Sequence, residues 1–445
     1  MNTPVENHEI YKAALTEFNR KNKVSQKMRE RANRLIPESF YHKSPFYAKK
    51  GKGCIITDVD GNERIDYVNA WSVLILGHAH PAIIEAIRSE IENGATYRLP
   101  EIHQIELAEE IARRMPAVEM IEYTTTGTDA VQVALRLARA YTGRKKIVMF
   151  DTSYHGYSDS VYFPGAYDWE KIGTEEPNGI LEEPRKYTIL MPYNDLQIVE
   201  KVIKEKKNEI AAVILEPFLH VGAVPPKEDF HKGIREITAK NDVLMIFDEV
   251  LTGPRFGGGA HGLYNVKPDI VTLGKALGGG YANFGAVAGD IEIMELFREG
   301  KVLSMGTFRA HRMAMVAGLA TLRELTPAAY DHLNNTGKAI REGVQNAAAE
   351  ADIKVQVTGI GSFFNLFFTD RKVDNLKAER KVDMDLRRLF DLLCLNKGVF
   401  IFPSHHSNVS LPVTDKEVKF TLQVVEQSFA AMKPLIEELR PNLIV

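Results

Sequence analysis

The 445-residue chain contains only two cysteines, Cys54 and Cys394. That is too few for a disulfide framework or a four-cysteine zinc site. Neither sign of charge is in excess: 56 Lys and Arg face 59 Asp and Glu, for a formal net charge of −3. Without a basic surplus there is no electrostatic footprint for nucleic acid or an anionic membrane surface. No uncharged apolar run approaches the roughly 18 residues of a membrane span. The opening MNTPVENHEIYKAALTEFNRKNK is polar and carries no apolar signal region. Internal repeats, low-complexity tracts and a His-Glu-x-x-His metal pattern are also missing, so no metal is expected. What is present is ordinary for a globular enzyme: 44% hydrophobic and 26% charged residues. At about 150 residues per domain the length predicts two or three units. The expectation is a cytoplasmic enzyme.

Apolar positions Ile10, Ala13, Leu15 and Phe18 predict an N-terminal helix. In residues 46–68, two β-rich runs flank the turn residues Asp60-Gly61-Asn62. Beyond residue 80, amphipathic helices such as DAVQVALRLARAYTG alternate with short apolar runs. The strand candidates are KKIVMF, YTILMPY, IAAVILEP, DVLMIFDEV and PDIVTLGK. Uniformly apolar short strands between helices predict a mostly parallel sheet covered on both faces, the α/β class. After residue 325, long helices and the runs VQVTGIGSFFNLFFTD and GVFIFPSHHSNVSLPVTD predict a smaller α+β unit.

Ligands in such sheets sit beyond the carboxyl ends of the strands. Three segments place unusual residues there. Thr124-Thr125-Thr126-Gly127-Thr128-Asp129 opens a helix with hydroxyls and a glycine, which suits an anion or a simple N-cap. Ile246-Phe247-Asp248-Glu249-Val250 ends an apolar run in two carboxylates, which are costly to bury without partners. Lys275 follows PDIVTLG, precedes three glycines, and lies 27 residues beyond Asp248 (275 − 248). A desolvated lysine becomes a nucleophile toward carbonyls. An anion turn, a carboxylate and a lysine are what pyridoxal phosphate requires for its phosphate, ring nitrogen and aldehyde. Tyr154-His155-Gly156, after KKIVMF, adds an aromatic at another strand end.

With these segments in view, the chain resembles the class III (ω-type) aminotransferases of pyridoxal-phosphate fold type I, and most of all their glutamate-1-semialdehyde aminomutase branch. The resemblance rests on DYVNAWSVLILGHAHPAI, TTTGTDA, ALRLARAYTGR, YHG, ILEP, FDEVLTG, LGKALGGG, Gly306-Thr307 and AMVAGLATL, in order over about residues 50 to 440. It implies three units: 1–70, a helix and hairpin packing with the small domain; 71–324, a large cofactor-binding α/β domain; and 325–445, a small α+β domain. It implies that Lys275 holds the cofactor as a Schiff base and shuttles protons, and that Asp248 pairs with the ring nitrogen. Val250 and Tyr154 would cover the ring's two faces, with His155 beside them. Gly127 and Thr128 would hold the phosphate near Thr126, and Glu216 would line the site. Thr307 would reach the phosphate of a neighbouring subunit, so a homodimer with shared sites is implied.

Departures from the family fall on the substrate side. Phe308-Arg309-Ala310-His311-Arg312 replaces a Ser-Gly-Asn-Pro run, and PESFYHKSPF lacks the aminomutase's Asn-Ser-Pro-Val-Arg. The expectations are that Arg309 or Arg312 reads an anionic group and that Trp71 and His405 contact substrate. His78 matches a structural Gly-His-x-His-Pro turn. The activity expected is ping-pong transamination between an amine or amino acid and a carbonyl compound. An intramolecular aminomutase, an epimerase and a non-catalytic relative are the alternatives.

Overall fold

The computed structural model of the chain describes residues 3–37, 46–97, 99–151, 153–162, 179–375, 378, 381–401 and 406–445. Helices Glu9–Lys21 and Lys23–Ala32 lead into an antiparallel meander of β1 (Ala48–Lys52), β2 (Ile55–Asp58) and β3 (Glu63–Asp66). Where two runs were predicted there are three strands. Gly53 adopts φ +57° and inserts a second turn inside the first run, a conformation open to a residue without Cβ.

The central sheet is built from β4 (Met120–Thr124), β5 (Lys146–Phe150), β6 (Thr188–Met191), β7 (Ile210–Leu215), β8 (Leu244–Glu249), β9 (Ile270–Gly274) and β10 (Gly285–Gly289). Their order is β4-β10-β9-β8-β7-β5-β6. Neighbouring pairs from β9 to β6 are parallel, and β10 runs antiparallel to both β9 and β4. Every residue of β7, β8, β9 and β10 is buried. That is why these strands are largely apolar rather than alternating, with Asp248, Glu249 and Thr272 as the polar exceptions. Helix Gly127–Thr142 lays Ala130, Ala134 and Leu137 in the core shared with Ile147, Ile214 and Ile246. The fold is α/β, with a mostly parallel sheet.

β11 (Val355–Thr358), β12 (Phe363–Phe368) and β14 (Ser407–Asn408) form a third, antiparallel sheet beside helices Pro327–Glu350 and Asp415–Leu439. β13 (Val399–Phe400) pairs in parallel with β3 and so joins the C-terminal segment to the N-terminal meander. Among the described residues, no helix is long and apolar enough to cross a membrane, and no group of three or more His, Cys, Asp or Glu could hold a metal.

Candidate active site

Parallel register brings the chemistry to one edge of the sheet. Leu215 stands opposite Phe247, and Asp248 opposite Thr272, so Glu216, Asp248 and Lys275 emerge from three adjacent strands. Asp248 is 5% exposed, and its carboxylate meets the His155 Nδ1 at 2.7 Å, the Thr272 hydroxyl at 2.8 Å and the Val250 N–H at 3.2 Å. Thr272 was not singled out in the sequence, although a lone hydroxyl in an otherwise apolar strand is a readable signal. The other ring nitrogen of His155, Nε2, is buried with no hydrogen-bond partner among the described residues.

Glu249 points the other way, as strand alternation requires. It accepts from the Ala260 N–H (2.6 Å), the His261 N–H (3.0 Å) and the Thr252 hydroxyl (3.1 Å), and meets the His261 Nδ1 at 2.6 Å. Of the two carboxylates ending the DVLMIFDEV run, one therefore anchors the helix at Gly259–Tyr264 and the other faces the site.

Lys275 begins a short 3₁₀ turn with φ +47°, and its backbone is held there by the end of β9. Burial pushes its amine below the ordinary lysine value, while Asp248 and Glu216 pull the other way and Arg255 adds to the lowering. An amine so placed is nearer to its nucleophilic, neutral form.

The helix opening at Gly127 has Thr126 as N-cap, in a reciprocal box with Asp129. The Thr126 side chain is thus a cap, while the first N–H groups of the helix, on Gly127 and Thr128, project from its positive end. A Cβ on Gly127 would lie 2.6 Å from a Val250 methyl, and one on Gly156 would lie 2.8 Å from the Thr128 hydroxyl. A Cβ on Gly285, between β4 and β9, would lie 2.2 Å from the Thr126 carbonyl oxygen. The cradle is closed by backbone approach that only glycine allows. It brings together anion-binding N–H groups, a carboxylate and a desolvated amine. These residues fit pyridoxal phosphate.

The substrate-side residues are placed differently. Trp71 lies in a run of four left-handed residues, Asn69 to Ser72, with φ between +49° and +69°. Thr307 is exposed, and a Cβ on Gly306 would be 2.9 Å from the Thr125 hydroxyl. Arg309 pairs with Glu122 and donates to the Ser304 carbonyl at 2.9 Å. Arg312 pairs with Glu101 at 3.0 Å and lies over the Tyr97 ring at 5.2 Å. Both guanidiniums are therefore engaged by carboxylates of their own chain, Glu122 and Glu101. A cleft of about 330 Å³ beside them is lined by Tyr97, Glu101, Glu122, Thr307 and Arg309 and does not include Lys275. His405 and most of PESFYHKSPF lie outside the described residues. His78 Nε2 meets Asp66 at 2.8 Å, a structural contact.

Compared with known proteins, residues 38–427 match the model of the family described as aminotransferase class-III. The chain belongs to the class-III aminotransferases. This family member is 39% identical to a glutamate-1-semialdehyde 2,1-aminomutase of Methanocaldococcus jannaschii, over 91% of its own length and 94% of that protein's. It superposes on an ω-transaminase from Sphaerobacter thermophilus with a TM-score of 0.83 and 32% identity, covering 92% and 97% of the two chains. A glutamate-1-semialdehyde-aminomutase variant from Pseudomonas aeruginosa PAO1 in complex with PMP gives 0.86 and 26%, covering 96% and 98%. The class-III fold with its large mostly parallel sheet is thus shared throughout.

Proposed function

We propose that this class-III enzyme moves an amino group between carbon atoms of small amino compounds, and that its reaction is an intramolecular shift of the glutamate-1-semialdehyde 2,1-aminomutase type. The cofactor is pyridoxal 5′-phosphate. The observation that carries the reading is the convergence of Lys275, Asp248 and the Thr126-Gly127-Thr128 turn at one sheet edge. The choice of an internal shift over exchange between two molecules rests on the aminomutase relative, at 39% identity over almost the full length. That relative favours the intramolecular alternative over the ordinary transamination expected from the sequence.

Bound in this cradle, pyridoxal phosphate supplies an aldehyde for amines and a ring that accepts an electron pair. Lys275 would hold that aldehyde and then, once displaced by a substrate amine, carry a proton at Nζ between substrate and cofactor carbons. Asp248, fixed by His155 and Thr272, would face the ring nitrogen with its negative charge. Val250, between Gly127 and Gly274, would press on one ring face, with Tyr154 on the other. Gly127 and Thr128 would donate N–H groups to the phosphate.

A homodimer is part of the proposal. Leu99, Ile102, Ile105, Leu303, Met305 and Phe308 are each more than half exposed, and a second copy would cover this apolar surface and bring Thr307 to its neighbour's phosphate.

Transamination is the second reading. The 32% identical ω-transaminase and the departures at residues 37–46 and 308–312 favour it. The deciding experiment supplies holoenzyme with glutamate-1-semialdehyde alone. Formation of 5-aminolevulinate without added donor or acceptor supports the mutase. No product until an amine and a keto acid are both present would replace it with transamination.

A further inference from the structure

Glu216 and His220 make a second carboxyl–imidazole pair beside Asp248 and His155. Glu216 is 6% exposed and its carboxyl meets the His220 Nδ1 at 2.9 Å. The two pairs share a dipeptide. His155 bonds Asp248 through its ring, and the N–H of the preceding residue, Tyr154, donates to the Glu216 carboxyl. The His220 ring stands edge-on to the Tyr154 ring, with centroids 6.2 Å apart. His220 is itself held from behind. Its carbonyl accepts from the His406 Nδ1 at 2.8 Å, and the His406 Nε2 meets the Ser72 hydroxyl at 3.0 Å.

We infer that His220, through Glu216, is a positioning residue that seats Tyr154 as the ring cover of the cofactor site. The inference rests on the pyridoxal-phosphate reading above. Tyr154 follows the end of β5 in a loop with no strand of its own, so its orientation must come from contacts. The Glu216 bond fixes its backbone, and the His220 edge fixes its ring. His220 can do so as a neutral group: burial holds its imidazole down at about 3, and burial pushes the Glu216 carboxyl up to about 8. Burial thus favours the neutral form of both groups, which keeps charge away from the side of the site. Whereas Asp248 serves the cofactor by its charge, the second pair would serve it by geometry.

The test uses His220→Ala, His220→Gln and Glu216→Gln, each titrated as apoprotein with pyridoxal phosphate and followed by induced circular dichroism of the cofactor band. Loss of one hydrogen-bonded support should weaken cofactor affinity roughly three- to tenfold. In His220→Ala the dichroic band should fall while borohydride still traps cofactor on Lys275. His220→Gln, which can still bond Glu216, should recover part of both signals. If affinity and dichroism match the parent in all three while only melting temperature moves, His220 is a structural residue and the inference is wrong. If the parent itself binds no cofactor at Lys275, it is the underlying reading that fails.

Discussion

Asp248 and Glu249 are consecutive residues, both buried, and each meets the Nδ1 of a histidine, at 2.7 and 2.6 Å respectively. Their surroundings separate them. Glu249 has two backbone N–H groups, a hydroxyl and an imidazole around it, and each of these belongs to residues 252–261. Asp248 takes its imidazole from the loop after β5, its hydroxyl from β9 and a single N–H from its own segment, and the Nε2 of its histidine has no partner among the described residues. A carboxylate saturated by its own local segment anchors that segment. A carboxylate whose imidazole and hydroxyl come from other segments, beside the glycines of the cradle, is presented to a ligand.

The sharpest break comes at the amine that faces only one of these acids. Lys275→Ala should abolish turnover and leave borohydride nothing to trap, with the fold intact; peptide mapping of reduced enzyme checks the site, and cofactor attached elsewhere would overturn it. The two acids should then give opposite profiles. Asp248→Asn should cost on the order of a hundredfold or more in rate with little change in denaturation midpoint. Glu249→Ala should cost about 3–5 kcal/mol of stability, since it strands a buried imidazole and two N–H groups. If both variants lose rate and stability alike, the distinction fails. Turnover and urea unfolding measured on the same preparations decide it.

Gly127→Ala probes the cradle from the other side. Its Cβ would press on Val250, and overpacking of about 1–3 kcal/mol corresponds to roughly ten- to hundredfold weaker cofactor binding. Unchanged affinity in a fluorescence titration would remove Gly127 from the cradle. Glu216 gives a gentler signal. Its carboxyl rises from 4.5 to about 8 on folding, chiefly through burial. The folded state therefore holds an extra proton between these values. Glu216's support for the fold is complete below pH 4.5 and is lost as pH rises through about 8. Denaturation midpoints of Glu216→Gln should lack that decline, and a parallel pH profile would contradict it. The smallest effect belongs to Arg309→Ala. Its side chain is 44% exposed in the pair with Glu122, so the loss should be about 0–1 kcal/mol. A selective fall in one carboxylate-bearing substrate would restore an anion-reading role.

Much of this site is written in short runs. The end of DVLMIFDEV, the lysine after PDIVTLG and the Thr-Gly-Thr turn each combine a local element with a residue that does not suit it. That mismatch can be read one segment at a time. The division of labour between Asp248 and Glu249 cannot, because it depends on which face of β8 each occupies and on what lies there. β10 was missed for a different reason. Gly-Ala-Val-Ala-Gly has little strand propensity outside its valine; pairing with both β4 and β9 makes it a strand, and its glycines allow a close approach, since a Cβ on Gly289 would be 2.3 Å from the Asp269 carbonyl oxygen. The ion pairs of Arg309 and Arg312 are not legible in the sequence because their carboxylates, Glu122 and Glu101, lie about two hundred residues earlier.

The left-handed run from Asn69 to Ser72 bears on the order of assembly. L-residues in this conformation cost roughly 1–2 kcal/mol each, so the isolated segment would not hold it. Asp66 holds its first N–H locally at 2.9 Å, but the end of the run is clamped from far along the chain: Arg255 donates to the Ser72 carbonyl at 2.9 Å, and Asn408 donates to the Ser72 hydroxyl at 2.8 Å. Translation delivers the turn long before either clamp, so the wall beside Trp71 must wait for residues near the other end of the chain. Pulsed hydrogen exchange during refolding should find the Ser72 amide, bonded to the Val68 carbonyl at 3.1 Å, protected later than the amides of β7 and β8. Simultaneous protection would mean that the turn forms without its clamps.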